Sequence, residues 1–135
     1  MAGEKSLLVL GATVLTFLVR HCARLVFLLC LAIVLFAVFR PEPPPELFRL
    51  SDKVGHVLGF VALGLSGRFA FPRLHYLIFW PPLLLMAWAL EWLQALLQPS
   101  RIYSQGDTVA NLAGVVLALG LWMLWRKVGT RRQKI

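Results

Sequence analysis

Long apolar runs separated by short polar connectors set the pattern of this chain. Four of them, 22–39, 54–71, 76–97 and 108–125, are long enough, or nearly so, for helices that cross a bilayer core. That core is about 30 Å thick and takes about 20 helical residues. The second run is the weakest, because Ser66 and Arg68 interrupt it; Arg68 lies near its end and is expected to snorkel to the headgroups. A shorter run, 7–19, is too short to cross alone. It is expected to lie at the interface or to extend the first helix, and a fifth span there stays open. Pro41, Pro43, Pro44 and Pro45 predict a polyproline-type connector after the first span, ended by a helix start at Ser51 or Asp52. Pro81 and Pro82 fall within the third run and are expected to bend it, which membrane helices tolerate. The predicted fold class is all-α: a polytopic membrane helical bundle with four transmembrane helices.

Composition supports the same picture. At 135 residues the chain allows one domain, and 59% of it is hydrophobic, more than a soluble domain of this size carries. Its mean hydropathy is +0.76. The organisation expected is an apolar N-terminal segment over 1–21, a four-helix membrane domain over 22–126 and a basic tail over 127–135. The net charge of +8 does not point to nucleic acid, because no binding motif accompanies it and most basic residues flank apolar runs. With four spans, one side receives Lys5, Arg20, Arg24, Arg68, Arg73 and the five basic residues of the tail, ten in all. The other side receives Arg40, Arg49, Lys53 and Arg101. That asymmetry predicts both termini in the cytoplasm, with 40–53 and 98–106 facing outside.

Two local features carry less. Lys5 followed by 7–19 imitates a signal peptide, but no small-x-small site follows and no cleavage is expected. Cys22 and Cys30 are eight residues apart on one predicted helix, about 12 Å along its axis, which is too far for a disulfide.

The chemistry gathers at the outer ends of the last three predicted spans. Glu91 lies inside the third run, where an unpaired carboxylate is costly and marks a functional site by default. Asp52 and His56 are four residues apart, as are Asp107 and Asn111; Glu91, Gln94 and Gln98 form a stripe on one helix face. Small residues continue those faces inward: Gly59 and Ser66, Ala87, and Gly114 with Ala118. Small residues let membrane helices approach closely, so a tightly packed inner level and a polar outer pocket are expected. Blander roles compete. Ser51, Asp52 and Asp107 are natural helix N-caps, Lys53 and Arg101 suit interfacial anchoring, and His56 alone suits a packed polar contact. Glu91 could also be a purely structural pair with Arg101 or His56. Asp52, His56, Glu91 and Asp107 offer oxygen and nitrogen donors, but their spacing matches no dedicated metal motif and no metal site is assigned. A nucleophilic triad is weaker still, since Ser104 lacks an elbow motif. General acid–base work by Glu91 and His56 is chemically reasonable.

The order Asp-Lys-x-x-His at Asp52–His56, Glu-x-x-Gln at Glu91–Gln94, Pro-x-Arg at Pro99–Arg101 and Asp-x-x-x-Asn-x-x-Gly at Asp107–Gly114 resembles the VanZ-like family of small bacterial membrane proteins. Ser104 completes an Arg-x-x-Ser element with Arg101, and the match spans about residues 50–120. The longer N-terminal apolar stretch and the Arg68-interrupted second span depart from the family's pattern. The resemblance implies four helices in a bacterial inner membrane and a link to low-level resistance to the glycopeptide antibiotic teicoplanin; it implies no reaction.

The function expected first is therefore an outer-face pocket for a cell-envelope lipid or lipid-linked glycan precursor. Lys53 and Arg101 would meet phosphate, and Asp52, Gln94, Ser104, Asp107 and Asn111 would complete the binding set. The alternatives are an intramembrane hydrolase or transferase, with Glu91 and His56 as acid and base, and a structural or assembly partner. The sequence names no cofactor and leaves homo-oligomerisation open.

Overall fold

A computed structural model describes residues 2–40, 51–98 and 102–132, with side chains at 10–11, 13–40, 52–98 and 102–129. Its described residues form four helices: α1 (Ala2–Phe39), α2 (Ser51–Ala70), α3 (Tyr76–Leu97) and α4 (Gln105–Arg132). The run 7–19 continues directly into the first predicted span, so α1 is one helix of 38 residues, about 57 Å long at 1.5 Å per residue. The expected proline connector lies outside the described residues.

Local chemistry accounts for the helix ends. His75 is the N-cap of α3, and its Nδ1 accepts the Leu77 backbone N–H at 3.3 Å. α3 then runs unbroken through Pro81 and Pro82. Ser104 caps α4: its Oγ accepts the Asp107 N–H at 3.2 Å and its carbonyl accepts the Thr108 N–H at 3.1 Å. A serine bonding the N–H three residues on is the N-terminal capping geometry. Asp107 is thus relieved of the capping role that its position also suited.

α2 packs most extensively against α4 and next against α1, while α3 leans on α4. The core draws on all four helices, with Val38, Phe60, Leu63, Ala87, Val115 and Ala118 all buried. α2 and α4 run in parallel. Residues 54 apart meet along their seam, as Lys53 with Asp107, and the same register sets Phe60 against Gly114 and Gly64 against Ala118. A Cβ on Gly114 would lie 2.6 Å from the Val57 carbonyl oxygen, and one on Gly64 would lie 2.7 Å from the Ala118 Cβ. Glycine is what permits this approach. Gly114 and Ala118 play the expected part, whereas Gly59 faces Val34 of α1 and Gly64 takes its place on the seam.

Three stretches among the described residues are long and apolar enough to cross a membrane: Thr13–Phe39, Tyr76–Leu97 and Gln105–Gly129. α2 is not among them, since Asp52, Lys53 and Arg68 dilute its apolar run. The outer surface is strongly apolar, with Phe36 72% and Leu77 75% exposed amid many other large hydrophobic side chains. Each such side chain loses about 1.5–3 kcal/mol of burial free energy if water covers it, and a contiguous surface of this kind calls for hydrocarbon.

Arg68 corrects an expectation. It does not snorkel: it is 2% exposed. Its guanidinium donates to the Leu74 and Pro72 carbonyls at 2.9 and 3.4 Å and lies 4.9–5.3 Å from the ring centroids of Tyr76, Phe79 and Trp122. The turn after α2 and an aromatic cage satisfy the charge inside the protein, so it has no need to reach the headgroups.

Candidate functional site

Two ends of the bundle collect polar groups, and they differ in kind. At one, the N-termini of α2 and α4 meet the C-termini of α1 and α3. The parallel register of α2 and α4 brings their first turns side by side. Lys53 Nζ donates to Asp107 Oδ1 at 2.8 Å, the lysine side chain being 41% exposed and the aspartate 14%. One turn deeper, His56 Nδ1 lies 2.9 Å from Asn111 Oδ1.

Asn111 is fully buried, and its Nδ2 donates to the Ala87 carbonyl of α3 at 3.2 Å. That bond orients the amide, leaving Oδ1 as an acceptor. His56 therefore donates from Nδ1, and in the neutral ring Nε2 keeps its lone pair. Nε2 lies 3.8 Å from Asp52 Oδ1. One donor atom from each of Asp52, His56 and Asp107 falls within 4.8 Å of the others. The imidazole is thereby held by one nitrogen and keeps the other beside Asp52.

Glu91 is 4% exposed. Its Oε1 accepts the Ser104 N–H at 3.3 Å, while Oε2 is buried and has no hydrogen-bond partner among the described residues. Ser104 joins the two acids, since its N–H serves Glu91 and its Oγ serves the Asp107 N–H. Glu91 is within electrostatic range of Asp107, His56 and Asp52.

The remaining predicted residues separate by task. Gln94 Nε2 donates to the Val38 carbonyl at 2.6 Å, and Gln98 Nε2 to the Phe39 carbonyl at 2.6 Å. Both glutamines thus satisfy the free carbonyls at the C-terminus of α1, which every helix end must place somewhere. The structure directs Gln94 to that helix end, and Asn111 to positioning His56. Arg101 lies outside the described residues. Sequence reasoning missed the glutamine contacts with α1, and the spacing of Gln94 and Gln98, four residues apart on one face, was their only signal.

The opposite end is basic and aromatic. Tyr76 Oη accepts from Trp122 Nε1 at 2.9 Å and from Arg126 at 2.7 Å. Beside the Arg68 cage, a cavity of about 140 Å³ opens between α1 and the turn after α2, lined by Arg20, Arg24, Phe71, Arg73 and Leu74 among others. Basic side chains at such a rim suit anionic headgroups.

Among the described residues, the chemistry available at the acidic end includes a lone-pair nitrogen, the carboxyl groups of Asp52, Asp107 and Glu91 and the Lys53 ammonium, reached past the partly exposed Lys53 and Asp52. It can bind hydroxyl, amide or cationic groups and move a proton at His56 Nε2. No protein-family model, curated protein or solved structure matches the chain.

Proposed function

We propose that the chain is a four-span membrane protein of the VanZ-like kind, with both termini in the cytoplasm of a bacterium. Its acidic end opens at the outer face of the inner membrane, as a pocket for the headgroup of an envelope lipid or lipid-linked glycan precursor. One observation carries this: a buried carboxylate with an unpartnered oxygen, Glu91, beside a mixed-charge cluster that Lys53 and Asp52 leave accessible. An intramembrane carboxylate persists where it has work to do. The three carboxylates and His56 suit sugar hydroxyls and amides, and Lys53 and Arg101 suit the phosphate. The Arg20–Arg24–Arg73 cavity at the opposite end supports the orientation, since basic residues gather on the cytoplasmic side. α2 crosses with the others in this reading, His56 being bonded to Asn111 of α4 and Arg68 enclosed by rings of α3 and α4. The link to teicoplanin resistance belongs to the same proposal and rests on the motif resemblance alone.

The test is native mass spectrometry of the protein released gently from membranes, as wild type and as Arg101→Ala and Lys53→Ala. A co-purifying envelope lipid is expected in the wild type and lost by about tenfold or more in the variants, as befits charge-assisted hydrogen bonds of about 1.5–3 kcal/mol. Retention unchanged in both variants would remove the proposal.

A second function, an intramembrane hydrolase or transferase on the same lipids, is favoured by one specific observation. The His56 tautomer set by Asn111 leaves Nε2 ready to take a proton. Turnover separates the two, because an enzyme changes the mass of its lipid and a binder does not.

A further inference from the structure

We infer that Asp52, His56 and Asp107 form a binding site for one divalent transition-metal cation, of the Zn²⁺ or Mn²⁺ class. Four observations carry it. Donor atoms of these residues lie within 4.8 Å of one another, drawn from two helices whose parallel register fixes their spacing. A bound cation, with bonds of about 2.0–2.2 Å, spans donors up to about 4 Å apart, so small side-chain rotations close the site.

His56 is prepared in the way a metal-binding imidazole is. Its Nδ1 is fixed on Asn111, which is itself fixed on Ala87, and its Nε2 lone pair points into the gap near Asp52. Metal-ligating histidines almost always hold their second nitrogen in such a bond, which sets tautomer and ring orientation.

Acidic groups crowd the gap. Asp52, Asp107 and Glu91 all lie within electrostatic range of Lys53. The 96% buried Glu91 has an oxygen with no partner beside the cluster. A divalent cation would draw on these acidic groups where hydrocarbon and protein leave little water to solvate them. The mixed donor set selects the metal, since imidazole suits Zn²⁺ and its neighbours while Mg²⁺ and Ca²⁺ prefer oxygen alone.

Lys53 has a defined part in this site. It occupies Asp107 Oδ1 at 2.8 Å, yet its side chain is 41% exposed and free to swing outward. It acts as a built-in competitor that a doubly charged cation displaces. Three protein ligands leave coordination positions open, and a phosphate or hydroxyl oxygen fits there.

The inference goes beyond the lipid proposal and does not rest on it, because the decisive titration contains no lipid. The full chain is purified in detergent, delipidated, stripped with EDTA and titrated calorimetrically with ZnCl₂ and, separately, MnCl₂. Saturable one-to-one binding of at least one cation is expected. His56→Ala and Asp52→Asn should each weaken it by about tenfold or more, and Lys53→Met should tighten it several-fold. Circular dichroism establishes that each variant is helical. Should His56→Ala fail to fold, Asp52→Asn decides alone, since the Asp52 side chain is 38% exposed and its change to Asn leaves the packing intact. Binding unchanged by Asp52→Asn, or no saturable binding by the folded wild type, overturns the site. Metal binding without any lipid in the mass spectra would leave this site standing and the lipid proposal fallen; the reverse result would do the opposite.

Discussion

Glu91 and Arg68 place a buried ionisable side chain near each end of the bundle, and the protein treats them differently. Arg68 has two backbone carbonyls and three rings around its guanidinium, and only its Nε lacks a hydrogen-bond partner among the described residues. Glu91 is left with one long hydrogen bond and one bare oxygen. Carbonyls and rings hold the Arg68 charge, whereas Glu91 keeps a carboxylate oxygen with no counterpart of either kind among the described residues. A lysine cannot serve two carbonyls in one plane while lying flat on aromatic rings. Arg68→Lys should therefore destabilise the protein by about 1–3 kcal/mol, read as a shift in its SDS unfolding curve. An unshifted curve would show that the cage contributes nothing. From sequence, Glu91 stood out because a carboxylate inside an apolar run has few innocent explanations. The fate of Arg68 was not legible, because its cage comes from α3 and α4, and one-dimensional position cannot distinguish a snorkelling arginine from an enclosed one.

α2 and α3 were legible to within three residues, since the hydrocarbon thickness dictates how long an apolar run must be. By contrast, α1 begins 20 residues before the predicted first span and α4 runs seven residues beyond the predicted fourth. The pairing of the helix faces was only partly legible. The sequence pointed to Gly59, Gly114 and Ala118 as the small face, and the α2–α4 seam instead uses Gly64 with the last two. The reason is helical rotation: α2 touches α1 on one side and α4 on the other, and a stripe of small residues does not say which neighbour it faces. That seam gives a sharp comparison within α4. Gly114→Ala would push a Cβ to 2.6 Å from the Val57 carbonyl oxygen, whereas nothing lies within 4 Å of a Cβ at Gly120. Gly114→Ala should cost about 1–3 kcal/mol through overpacking, lower the thermal midpoint in detergent and disturb the His56–Asn111 pair. Gly120→Ala should be neutral or stabilising by up to about 1 kcal/mol. Equal melting of the two variants would contradict the close approach.

At the scale of the whole molecule, the polar end is assembled from distant parts of the chain. Asp52, Lys53 and His56 come from α2, Glu91 from α3, and Ser104, Asp107 and Asn111 from the start of α4. The candidate residues were readable because each lies near the same end of its run. Their division of labour was not, because a glutamine that caps a neighbouring helix and one that faces a ligand look alike in sequence.

The parallel pairing of α2 with α4 also bears on how the chain is made. Lys53 finds its partner 54 residues later, and His56 one 55 residues later. During synthesis α2 therefore emerges with its polar face uncovered, and for a time no stretch of chain exists that can cover it. Lone polar groups are poorly received by hydrocarbon, so α2 is expected to wait in an aqueous or protein-lined place until α4 appears. A chain ending at residue 104, carrying Phe60→Cys with Cys22→Ala and Cys30→Ala, should react with a water-soluble maleimide, while the same substitutions in the full chain, where residue 60 lies against Gly114, should be protected. Protection in both would mean that α2 enters the membrane unaided. Birth order, as well as final packing, then governs which helix of this chain can carry its charges.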